Sequence, residues 1–154
     1  MKLCVIMQKD SQYNIYTFKG PNDWRFHPIL QIFSDDFNSG QLINWLNDEK
    51  KSTGNESVSI DKEDGVIALY DVSASMDETY TGDLIDPEKR FEMTVENFRD
   101  VVEKWEELRV SKPDIILLVI REDNHVSLET DPKTIQKYQD AGYAFDIDRK
   151  YHEA

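Results

Sequence analysis

The chain has 154 residues and carries 31 acids against 18 bases, a formal charge of −13 with its three histidines neutral. That length suits one domain able to bury a core, and a content of 39% hydrophobic and 11% aromatic residues excludes a disordered acidic tail. The acidic balance opposes phosphate-backbone binding and fits a basic partner, while a lone cysteine, Cys4, excludes a disulfide scaffold or a cysteine-based zinc cluster.

Leu3 to Met7 is an apolar, partly β-branched run that reads as a buried strand. Tyr13 to Phe18 is a second strand candidate, closed by the turn chemistry of Gly20-Pro21-Asn22-Asp23. His27 to Phe33 is apolar and fits either a helix or a strand. Gln41 to Asp48 predicts a helix with Leu42, Trp45 and Leu46 on one face and Ser39 as its N-cap. Lys50 to Glu56 reads as a polar loop. Val58 to Ile60 and Val66 to Tyr70 flank Asp61-Lys62-Glu63-Asp64-Gly65, a hairpin with glycine at its tight corner.

The clearest helix covers Val95 to Arg109. Thr94 caps it, Glu96 suits its first turn and Pro113 stops it. Phe98, Val101, Val102, Trp105 and Leu108 follow the 3.6-residue period of a core face. Asp114 to Ile120 predicts a buried strand, and Val126 to Leu128 completes a hairpin across Glu122-Asp123-Asn124. Asp131-Pro132 caps and opens a short helix through Tyr138 that Gly142 ends, and the tail from Tyr143 has no assignable pattern. The expected fold class is α+β, a single domain over 1–154 with a mostly antiparallel sheet packed against two or three helices. No apolar run approaches the ~20 residues of a membrane helix, and the N-terminus lacks the form of a secretory signal, so the expected location is cytoplasmic.

Catalytic patterns are few. Val66 to Tyr70 runs into Asp71-Val72-Ser73-Ala74-Ser75, which resembles the Asp-x-Ser-x-Ser metal site of von Willebrand A domains. Those domains place the motif after their first strand, whereas here only 83 residues follow it. A Ser-rich turn leaving the sheet accounts for the same residues. An EF-hand is excluded, because Met76 stands where glycine is needed and Gly82 where a glutamate must close the loop. Pro113-Asp114 and Asp131-Pro132-Lys133 resemble the Pro-Asp … Asp-x-Lys pattern of a nuclease family, but Pro132 breaks the strand that pattern needs. No Gly-x-Ser-x-Gly elbow or glycine-rich phosphate loop occurs, and His27, His125 and His152 lie too far apart in sequence for paired metal spacing. The chain is therefore read as a non-enzyme needing no cofactor.

The charge is unevenly placed. Residues 61–107 carry fifteen acids and five bases, whereas 1–60 and 108–154 are close to neutral. At ~100° per residue, Glu96, Asp100, Glu103 and Glu107 fall at roughly 140–200° from Phe98, opposite the core face. Carboxylates spaced three and four apart repel each other, costing ~0.2–0.5 kcal/mol per pair. With the acidic loop expected from Asp77 to Glu92 they form a candidate surface for a basic protein: Asp77, Glu78, Tyr80, Asp83 and Asp86, flanked by Glu96, Asp100, Glu103 and Glu107. Tyr80 enters as an aromatic anchor among acids.

The stretch Arg90-Phe91-Glu92-Met93-Thr94-Val95-Glu96-Asn97-Phe98 … Trp105 … Leu108 … Lys112-Pro113-Asp114-Ile115-Ile116-Leu117 … Glu122-Asp123-Asn124 resembles small bacterial immunity proteins of polymorphic or contact-dependent growth-inhibition toxin systems. The likeness covers roughly residues 90–128 and rests on Met-Thr-x-Glu-Asn-Phe opening a helix, a Trp within it, Lys-Pro closing it, then a strand and acidic turn. It implies an inhibitor that neutralises a cognate toxin domain, commonly a basic nuclease, through an acidic surface, with no catalytic residue to transfer. The alternatives are a metal-dependent hydrolase built on Asp71, Ser73 and Ser75, and a phage- or plasmid-encoded DNA mimic.

Overall fold

Apolar alternation and turn chemistry set eight strands and four helices among the described residues (3–9, 16–17, 27–33, 38–71 and 90–140) of a computed structural model. Every strand pairing among the described residues is antiparallel, so the expected α+β class holds. The chain falls into two compact units, Met1–Gly20 with Asp100–Ala154, and Pro21–Arg99.

The first unit holds a sheet of order β2-β1-β7-β8, from β1 (Leu3–Lys9), β2 (Tyr16–Thr17), β7 (Ile115–Ile120) and β8 (Val126–Glu129). β7 is interior and apolar throughout, paired from Leu3↔Ile120 to Gln8↔Ile115 on one side and from Leu117↔Glu129 to Ile120↔Val126 on the other. Helix α4 (Pro132–Asp140) covers one of its faces, packing Ile135 and Tyr138 against Ile115, Leu117 and Val119. On the other face Ile116, Leu118 and Ile120 are buried, with Val126 and Leu128 beside them on β8. A strand buried on both faces loses alternation and reads as a continuous hydrophobic run, as Ile115–Ile120 does.

Asn124, in the left-handed region at φ 64°, closes the β7–β8 turn, where its N–H donates to the Arg121 carbonyl at 2.9 Å. Asp131 caps α4 as expected: its carboxylate accepts from Thr134 N–H at 3.2 Å and Thr134 Oγ1 at 2.8 Å. The helix runs on to Asp140; Gly142 and the tail from Tyr143 lie outside the described residues.

The second unit holds β3 (Ser52–Gly54), β4 (Val58–Glu63), β5 (Val66–Asp71) and β6 (Arg90–Thr94), in that order across its sheet. Asp64 and Gly65 join β4 to β5 with φ of 52° and 78°, the pair of positive angles a two-residue type I′ turn demands. Val58, Ile60, Ile67, Leu69, Phe91 and Met93 are buried on one face of the sheet. Helices α1 (His27–Ile32) and α2 (Ser39–Leu46) supply Ile29, Leu30, Ile32, Leu42, Trp45 and Leu46 to this unit's core. Lys62 reaches from β4 to the C-terminal end of α2. Its ammonium donates to the carbonyls of Trp45 and Asp48 and lies 4.5 Å from the centre of the Trp45 ring. A cation at a helix C-terminus satisfies carbonyls that have no partner within the helix.

Three local expectations change. Asn38, not Ser39, caps α2: its side chain accepts from Gln41 N–H at 3.1 Å, and Ser39 is the first helical residue. The stretch 50–56 is not all loop, because Ser52–Gly54 pairs with β4 from Ser52↔Asp61 to Gly54↔Ser59. Arg90–Thr94 forms strand β6 against β5, so Glu92 belongs to a sheet rather than an acidic loop. The ambiguous run His27–Phe33 resolves as α1. Only Tyr16–Thr17 of the Tyr13 to Phe18 strand candidate is described, and its closing turn, residues 20–23, lies outside the described residues.

Candidate protein-docking surface

Helix α3 (Val95–Ser111) begins in the second unit and continues from Asp100 in the first. Thr94 caps it, its hydroxyl accepting from Asn97 N–H at 3.1 Å. At the far end Lys112 turns left-handed at φ 51° while its N–H donates to the Leu108 carbonyl at 2.8 Å, and Pro113 follows. Lys9 of β1 donates to the Lys112 carbonyl at 3.0 Å and pairs with Asp114 at 3.3 Å, fixing that end.

The buried face of α3 is the one the periodicity assigns: Phe98, Val101, Val102, Trp105 and Leu108 are all within 5% exposure. Glu96, Asp100, Glu103 and Glu107 are exposed. Glu107 lies 3.7 Å from Lys104, whereas Glu96, Asp100 and Glu103 form no salt bridge with a described residue. The exposed row keeps a net negative potential, because its four carboxylates face a single paired ammonium, that of Lys104 beside Glu107. Val110 extends the same row one step further and is 79% exposed, an apolar side chain left on the solvent side of the helix. The charge pattern did not reveal Val110; its place three residues after Glu107 would have.

The remaining partner candidates, Asp77, Glu78, Tyr80, Asp83 and Asp86, lie outside the described residues. Of the metal-site alternative, Asp71 is the last residue of β5, opposite Val58, while Ser73 and Ser75 lie outside the described residues. Asp114 and Asp131 of the nuclease-like pattern are engaged elsewhere, with Lys9 and with Thr134. The Thr134 hydroxyl, and behind it the backbone N–H groups of Thr134 and Lys133, hold the Asp131 carboxyl below the ordinary carboxylate range. Among the described residues no three His, Cys, Asp or Glu side chains gather as a metal site, and no helix is long and apolar enough to cross a membrane.

The helix is thus capped at both ends, buries one apolar face and presents on the other side a carboxylate row that ends in valine. The chain matches no protein-family model, no curated protein and no solved structure.

Proposed function

We propose that this protein is an inhibitor of the immunity type, which binds a basic protein toxin domain, a nuclease by preference, and neutralises it without chemistry of its own. The observation that carries the reading is the exposed row Glu96, Asp100, Glu103 and Glu107 on a helix whose opposite face is fully buried. A protein needing only solubility gains little from like charges at three- and four-residue spacing, which weaken the helix. A partner of opposite charge makes use of them, because complementary potentials speed encounter and reject wrong partners. The chain's net charge of −13 adds a long-range field of the same sign. No cofactor enters this role, and the expected compartment is the cytoplasm, where an immunity protein meets an imported toxin.

The test is co-expression with the C-terminal domain of the polypeptide encoded immediately upstream. Growth rescue together with a purified one-to-one complex supports the inhibitor. Full toxicity in the presence of soluble, folded protein refutes it for that pair.

A further inference from the structure

The face of the second unit's sheet that turns away from Val58, Ile60 and Leu69 has a composition that only the strand register reveals. Ser52, Asp61, Ala68 and Glu92 stand in one cross-strand row, and Gly54, Ser59, Tyr70 and Arg90 in the next. Glu63, Val66 and Thr94 form the third row. Ser59, Ala68 and Tyr70 are half-buried, while Ser52, Glu63, Glu92 and Thr94 are exposed. Val66 is 40% exposed, and it and Val110 are the exposed large hydrophobic residues among the described ones.

We propose that this outer face, centred on Ala68 and Tyr70, is a docking surface for a basic protein partner; the proposal rests on the inhibitor reading and adds a contact area to it. Charge selects the occupant. Asp61, Glu63 and Glu92 border the face, and Arg90 is its single cation among the described residues, already held by Glu92 at 2.6 Å. A lysine- or arginine-bearing surface meets a net excess of carboxylate there, whereas an acidic surface or a nucleic acid is repelled. The apolar centre supplies the anchor. Tyr70 is positioned by the Ser59 hydroxyl, which lies 3.0 Å from its phenol oxygen. An aromatic ring already held in place loses little side-chain freedom on binding, which is why tyrosine is frequent at interface hot spots. Ala68, two residues before it on the same face, has a side chain of a single methyl group, so little bulk stands between a partner and the sheet there.

Size sets the role of the face. Strands of about six residues are ~20 Å long, and four of them at ~4.8 Å spacing give roughly 300–400 Å². That is under half of the ~800 Å² per partner of an ordinary specific interface. The face therefore forms the centre of a larger footprint, bordered by its own acids.

The experiment uses the full chain and, as probe, a catalytically inactivated C-terminal domain of the polypeptide encoded immediately upstream. Tyr70→Ala and Ala68→Arg are each titrated against it, and the melting temperature of each variant is recorded. Each should weaken Kd by about 30-fold, the size of a hot-spot loss, while keeping the wild-type melting temperature within a few degrees. Because a substitution in a sheet can disturb folding, the unmodified protein is also followed by methyl NMR. The Ala68 and Val66 methyl signals should shift on adding the probe. If both variants bind as wild type and these methyls stay still while charge reversal on α3 weakens binding, the sheet face is only a solvated surface and the inhibitor reading survives. If the unmodified protein does not bind the probe, both readings fall together.

Discussion

Replacing Trp105 by alanine tests the packing on which the proposed binding surface depends. The side chain is 1% exposed and lies in the row Phe98, Val101, Val102, Trp105 and Leu108 that anchors α3. A buried tryptophan removes ~150–250 Å² from water, which at ~25 cal/mol/Å² is a gross ~4–6 kcal/mol. Alanine keeps a fraction of that area, and the unfolded chain already hides part of it, so the transfer value is an upper bound. Measured truncations of buried aromatics cost ~3–5 kcal/mol, cavity included, and ~4 kcal/mol is the expectation here. At ~2–4 °C per kcal/mol for a chain of this length, the melting temperature should fall by ~8–16 °C. Trp105→Phe, which refills most of the volume, should lose less than half as much. Circular dichroism is the suitable probe, since the substitution removes a fluorophore. A melting temperature unchanged within ~2 °C for the alanine variant would mean that α3 does not rest on this face, and the orientation of its acidic row would then be wrong.

Lys62→Met removes the ammonium from the Trp45 and Asp48 carbonyls and should destabilise the protein by about 1–3 kcal/mol in urea unfolding; an unaltered midpoint would refute its capping role. Gly65→Ala should cost about 1 kcal/mol, because the site is open but its φ of 78° disfavours a side chain. Gly54→Ala should cost more, since its Cβ would run into the Val58 carbonyl and come within 3.1 Å of Ser59 Cα, and a reversed order would contradict the β3–β4 pairing. The carboxyl of Asp131 is held below its ordinary value, so it stabilises the fold above the unfolded-state pKa and loses that contribution as pH falls through the folded one. The stability gap between wild type and Asp131→Ala should accordingly narrow below about pH 4, and a gap that widens on acidification would show the cap to be misassigned. For the metal alternative, Mg²⁺, Mn²⁺ and Ca²⁺ should leave the melting temperature unmoved; a shift that Asp71→Asn abolishes would revive the hydrolase reading.

Helix α3 was legible because period, cap and stop agree: Thr94, the Phe98-to-Leu108 face and Pro113 each point to the same boundaries. The β4–β5 hairpin was legible for a similar reason, as Asp64-Gly65 is strong type I′ chemistry between apolar alternations. The losses share a physical cause, namely partners distant in sequence. Ser52–Gly54 has no intrinsic strand character and becomes one only because β4 offers an edge. Phe91 and Met93 do alternate with Arg90, Glu92 and Thr94, but Glu92 also continues the acidic stretch that begins at Asp77, and so short an alternation becomes a strand only where β5 offers an edge. His27–Phe33 hid its helix because burial on several sides erases the 3.6-residue period. Asn38 and Ser39 are equally good caps by composition, and only the extended backbone at Asn38 decides between them. For the docking surface the carboxylate row was readable from one helix alone. The outer sheet face was not, because its rows of residues exist only once four strands are in register.

The central claim is that exposed carboxylates on α3 attract a basic partner, and association kinetics test it most directly. Asp100, Glu103 and Glu107 are reversed together to lysine, and binding to the proposed partner, the domain used in the co-expression test, is followed at two ionic strengths. Steering by these charges predicts slower association, a shallower salt dependence and a much smaller change in dissociation, with the melting temperature nearly preserved because the residues are exposed. An association rate and salt slope equal to those of the wild type would show the acidic row to be no more than a solvated helix face.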